Sequence, residues 1–123
     1  MISFRGKVRK GQQRGKKLGF PTANIPLDLK IPEGIYISLV QLDDVEHPAL
    51  TFIGSAETFG ETTYQSETYL LNFDSDIYDQ TMSITLLQKI RESEKFTSEE
   101  ALIMKMEEDK AKAKKYFKDN PLE

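Results

Sequence analysis

Five or six short runs of strand-forming residues fill the first 91 positions, and one run with helical spacing fills most of the rest. Strands at such short intervals point to an antiparallel sheet or barrel. Ile2 to Lys10 alternates loosely, with Ile2, Phe4, Gly6 and Val8 on one side. Ala23 to Ile25 reads as a short second strand, and Pro26 to Gly34 as a turn-rich link. Ile35–Leu42 and Ala49–Gly54 read as a hairpin around a polar turn over 43–48. Ser55 to Gln65 reads as a mobile loop, because it has no helical period and holds Gly60 among polar residues. Ser66–Phe73 and Thr81–Arg91 complete the strands, separated by a turn at 74–76. Met82, Ile84 and Leu86 share one face of the second. The period then changes. Ser98 before Glu99 and Glu100 is a helix start, and spacing predicts one helix over about 98–118.

At 123 residues the chain is expected to be one domain, 1–123. It has no cysteine, which excludes disulfides and thiolate metal sites. His47, the single histidine, falls in the predicted turn and reads as a surface loop residue. No apolar run reaches the roughly 18 residues that would span a bilayer, and no signal peptide opens the chain, so no membrane is expected and a cytoplasmic location is. The net charge of −3 conceals an asymmetry: residues 1–30 hold eight Lys/Arg against Asp28 alone, while the remainder holds nine against nineteen acids. A basic end on an acidic body suits a local anion site better than a nucleic-acid surface.

That basic end is punctuated by Gly11, Gly15 and Gly19, with Arg14, Lys16 and Lys17 between them. Glycines let backbone N–H groups approach a ligand closely, and the cations suit a polyphosphate. A solvated turn has the same composition. The order is neither a Walker loop nor a dinucleotide fingerprint. Beyond Pro21 the chain is expected to run extended, so Thr22 and Asn24 point to one side and offer two hard oxygen donors suited to Mg2+.

The whole stretch from Gly6 to Asn24 fits the pattern G-x-V-x-x-G-x-x-x-G-x-x-L-G-F/Y-P-T-A-N and resembles the opening signature of the riboflavin kinase family. The resemblance continues. The segment from Glu67 to Phe73 is similar to the family's E-x-H-L-L-D-F, with Tyr69 and Asn72 replacing His and Asp. Asp76-Ile77-Tyr78 resembles D-L-Y-G, with Asp79 replacing Gly. The segment from Ile90 to Phe96 resembles I-R-x-E-x-x-F, with Ser93 replacing Glu, and Asp109 in the predicted helix also fits. The stretch from Phe52 to Phe59 departs more from N-I-G-x-x-P-T-F, with Phe52 for Asn and Glu57 for Pro.

The resemblance implies a mainly β fold, a small six-stranded antiparallel Greek-key β-barrel with a C-terminal helix. It also implies Mg2+-dependent transfer of phosphate from ATP to the ribityl 5′-hydroxyl of riboflavin, giving FMN, with other divalent metals usable. Gly11, Gly15, Lys16, Lys17, Gly19, Pro21 and Thr22 would bind ATP phosphates. Thr22 and Asn24 would hold the metal, and Glu67 would be the catalytic base. Read from the residues alone, Glu67 is either a base on an apolar strand face or a solvated acid at the strand's start. Arg91 and Phe96 are implied flavin contacts, although Arg91 could equally be a strand-end cation. The expected partners are small molecules, with no nucleic acid and a monomeric chain. The alternative is a flavin- or nucleotide-binding module without chemistry, motivated by Phe52, Glu57 and Ser93. In many bacteria the family's domain follows an adenylyltransferase that makes FAD. The signature begins within a few residues of Met1, so no such domain is expected to precede it here.

Overall fold

The structure is a computed structural model and describes residues 2–8, 23–27, 31–42, 44–58, 61–71, 80–94 and 96–121. Among the described residues six strands form one antiparallel sheet: β1 Ile2–Lys7, β2 Ala23–Pro26, β3 Gly34–Leu42, β4 Val45–Thr58, β5 Glu61–Leu70 and β6 Thr81–Arg91. Their order is β1-β6-β3-β4-β5-β2. The meander β3-β4-β5 has β6 returning beside β3, which is the Greek-key arrangement. The expected fold class therefore holds: a nearly closed six-stranded barrel followed by one helix, α1, at Glu99–Asp119.

Alternation divides the apolar side chains between two cores. Phe4, Val8, Ile25, Val40, Ile53, Leu70, Met82 and Ile84 fill the barrel. Ile35, Ile37, Leu50, Tyr69 and Leu71 face outward and are covered by Met106 and Ala113 of α1. The helix forms where expected. Ser98 caps it, its Oγ accepting from the Ala101 N–H at 3.1 Å, and Glu99 and Glu100 stand in the positive first turn. Met106, Asp109 and Ala113 recur at helical spacing and form its buried stripe. No described helix is long and apolar enough to cross a membrane.

Closure of the barrel depends on Gly6. β1 and β2 are the two ends of the sheet, and a Cβ at Gly6 would lie 2.5 Å from Ile25 Cγ2. Ile25 is β-branched and buried, so it has little freedom to withdraw. Gly6→Ala is expected to destabilise the fold by about 1–3 kcal/mol through overpacking. Adding Ile25→Ala, which removes the obstructing methyl, should make the double substitution cost less than the two single losses combined. Thermal melts of the four proteins check this, and an unchanged midpoint for Gly6→Ala would show that the seam is loose.

Two expectations fail. Most of the turn expected over 43–48 is strand, because Leu42 pairs with Val45 and β4 starts there. Asp44 takes a positive φ of 65°, a conformation that short acidic side chains tolerate. His47 is thus a half-buried strand residue opposite Val40, not a loop residue. Pro48, which had suggested a turn, costs no ladder bond to β3. Its carbonyl accepts from the Leu71 N–H on the β5 side at 3.0 Å, and N–H and C=O of one strand residue point the same way.

The second failure is the loop expected over 55–65. Ser55–Thr58 and Glu61–Gln65 are paired strand, closing at Thr58 opposite Glu61. The pairing of β4 with β3 ends at Ile53, and that of β5 with β2 ends at Gln65. Beyond those points the two strands continue as a two-stranded arm. The turn expected at 74–76, like Asn72, Phe73 and residues 9–22, lies outside the described residues.

Candidate active site

The acid singled out on β5 meets the amide singled out on β2. Asn24 and Glu67 are direct register partners across the β2–β5 pair. Directly opposed residues put their side chains on the same face with Cβ atoms about 5 Å apart. That face is the outer one, shared with Tyr69 and Leu71, which α1 covers. Glu67 is half-buried there, and Asn24 is only 3% exposed. The Gln65 Nε2 donates to Asn24 Oδ1 at 3.2 Å, which fixes the direction of the amide oxygen. Among the described residues no cluster of three or more His, Cys, Asp or Glu could hold a metal.

The register extends this pair into a row. Glu67 lies opposite Phe52, Phe52 opposite Ile35, and Ile35 opposite Arg91. Asn24, Glu67, Phe52, Ile35 and Arg91 thus cross five strands on one face. Phe52, the departure from the family pattern, is the acid's immediate neighbour. At the far end Arg91 is clamped by the helix: its Nε donates to Asp109 Oδ1 at 2.9 Å and its Nη2 to Asp109 Oδ2 at 2.7 Å. The Phe96 ring lies 6.0 Å from the guanidinium carbon, within cation–π range. The described site residues therefore form two groups: Asn24 with Glu67, and Arg91 with Phe96 three strands away. Gly11, Gly15, Lys16, Lys17, Gly19, Pro21 and Thr22 lie outside the described residues.

The mouth of the barrel beside the site is held by two tyrosines. Tyr36 donates to the Pro32 carbonyl at 2.6 Å, and Tyr64 donates to the Ile31 carbonyl. Burial, and then the negative charge of Glu33, push the Tyr64 hydroxyl above its ordinary pKa. It stays protonated, as a donor must. Leu27 donates back to the Tyr64 carbonyl at 2.9 Å, which anchors the end of β2 against β5 near Glu67.

A family model described as flavokinase, riboflavin kinase, matches residues 1–117. The chain belongs to the riboflavin kinase family. It is 39% identical over 93% of its length to a trifunctional protein of Mycoplasmoides gallisepticum, covering 18% of that protein. It is 36% identical over 89% of its length to the bifunctional riboflavin kinase/FMN adenylyltransferase of Pseudomonas fluorescens, covering 36% of it. The chain thus spans well under half the length of these curated relatives. Among solved structures, it superposes on a macrolide-efflux protein from Streptococcus pneumoniae with a TM-score of 0.83 and 29% identity, over 92% of this chain and 38% of that one. It superposes on riboflavin kinase from Trypanosoma brucei with a TM-score of 0.65 and 28% identity, over 94% of this chain and 79% of the other.

Sequence reading missed Gln65. It was placed at the end of a loop, although its spacing of two from Glu67 puts both on one face once the strand is known to extend that far. Asp109 was matched to the riboflavin kinase pattern without a role. A buried carboxylate at helical spacing from Met106 was the available signal, since such a group needs a partner.

Proposed function

We propose that this domain phosphorylates riboflavin at the ribityl 5′-hydroxyl, with ATP as donor and Mg2+ as the metal, and that Glu67 accepts the hydroxyl proton. The observation that carries the reading is the cross-strand pairing of Asn24 with Glu67 on one half-buried face. Family membership supplies the substrate class. Phosphoryl transfer asks a protein chiefly for alignment and charge neutralisation. Asn24 Oδ1, oriented by Gln65, and the Thr22 hydroxyl are the oxygen donors that would hold Mg2+. When bound, the metal neutralises phosphate charge. Glu67, one strand away, would accept the alcohol proton. Gly11, Gly15 and Gly19, with Lys16 and Lys17, would cradle the phosphates, Pro21 would set the turn into β2, and Arg91 with Phe96 would receive the ring.

The deciding experiment incubates the protein with riboflavin and MgATP and follows FMN by chromatography. Asn24→Ala is expected to raise the Mg2+ needed for half-maximal rate by at least about tenfold, and Gln65→Ala by a smaller factor through loss of orientation. Unchanged metal dependence in both removes the metal assignment. The second reading, a flavin-binding module without chemistry, is favoured by Phe52 standing against Glu67 where the family pattern has Asn. Tight riboflavin binding with no FMN formed would establish it.

A further inference from the structure

We propose that Asp109 is a positioning residue for the flavin ring, acting through Arg91 from the helix. The inference rests on the riboflavin kinase reading for its ligand, but on this chain's own geometry for its residues. Asp109 is fully buried, and the Arg91 side chain is only 11% exposed. A buried ion pair loses the hydration of both charges, so apolar side chains could dock α1 at least as well. The fork-to-fork bond instead fixes the plane of the guanidinium.

Arg91 has five N–H bonds. Two go to Asp109, and one Nη1 bond goes to the Glu92 carbonyl at 3.1 Å. Among the described residues, one N–H on Nη1 and one on Nη2 make no hydrogen bond. Glu94 Oε1, at 3.9 Å from Nη1, is within ion-pair reach only. A planar cation with two uncommitted donors, and Phe96 near it, suits a flat ring bearing carbonyl oxygens. The row sets the span. Arg91 is three strands from Glu67, about 14 Å along the sheet at the usual strand separation. That is comparable with the reach of a tricyclic ring carrying a five-carbon chain. The ring carbonyls would meet Arg91 while the terminal hydroxyl meets Glu67.

The test measures binding by flavin fluorescence, with riboflavin and with lumichrome, which keeps the ring carbonyls and lacks the chain. Asp109→Asn is expected to weaken both ligands about tenfold, equivalent to one good hydrogen bond, while turnover at saturating riboflavin stays within about threefold. Arg91→Lys, which keeps the charge and loses the fork, should weaken both by the same factor, and the double substitution should add little. Met106→Ala loosens the same helix without touching the pair and should leave both affinities unchanged. If Asp109→Asn leaves riboflavin affinity intact, weakens riboflavin but not lumichrome, or is matched by Met106→Ala, the pair merely docks the helix and the proposal is overturned. If Asp109→Asn does not fold, Arg91→Lys reads the same contact, and unchanged affinity there overturns it equally. A wild-type protein that binds both ligands but makes no FMN removes the kinase reading alone, because the affinities still decide the role of Asp109. A wild-type protein that binds no lumichrome overturns the proposal.

Discussion

Replacing Glu67 by Gln is expected to lower FMN formation by about 100-fold or more, because a positioned general base contributes roughly 10²–10⁴-fold. The substitution keeps the size and hydrogen-bonding reach of the side chain and removes only its capacity to take a proton. Glu67 is half-buried between Asn24 on one strand and Phe52 on the next, so a neutral amide fits the same space. Melting temperature and riboflavin affinity should therefore stay near wild type while turnover falls. Glu67→Asp, which withdraws the carboxylate by one methylene, should retain chemistry at an intermediate rate. Single-turnover measurement with saturating MgATP separates chemistry from product release. Near-normal turnover in Glu67→Gln would leave the transfer dependent on alignment alone and give the proton to solvent.

What the sequence disclosed, and what it withheld, follows from how much of each element is buried on one side. β6 alternates cleanly because Met82, Ile84 and Leu86 point into the barrel, and its expected bounds match the observed ones. α1 was legible from its cap and its stripe. The arm beyond Ile53 was not, because its pairing with β3 and β2 has ended there and selection for one apolar face ends with it. The start of β4 was hidden by Pro48, whose carbonyl faces the end of β5 rather than β3. Asn24 and Glu67 were each identified by their motifs, yet their pairing is a property of register. Gln65 reaches Asn24 across 41 positions, and Arg91 reaches Asp109 across 18. No local pattern encodes such distances. Glu67 shares the outer face with Tyr69 and Leu71, as strand alternation leads one to expect, while its neighbours Ser66 and Thr68 are buried on the opposite side of the strand.

The other large effect is expected on the opposite side of the same strand. Thr68 follows Glu67 and points inward, where Thr51 Oγ1 bonds to its hydroxyl at 3.0 Å and to that of Ser38 at 2.7 Å. All three are buried, and among the described residues no buried side-chain polar atom lacks a partner. Thr51→Val is nearly isosteric but strands both remaining hydroxyls, each costing about 1–3 kcal/mol. The expected loss is about 2–4 kcal/mol, a drop in melting temperature on the order of 10 °C. Removing all three hydroxyls, as Ser38→Ala with Thr51→Val and Thr68→Val, should be less harmful than Thr51→Val alone, because no stranded group is left. Denaturant unfolding of the single and triple variants decides it, and a triple variant worse than the single would mean that the ladder stabilises in its own right. Assayed well below its melting temperature, Thr51→Val should make FMN within a few-fold of wild type. The hydroxyls hold β4 against β5 and touch nothing on the outer face, so their loss lowers the folded population while the folded molecules keep Asn24 and Glu67 in register.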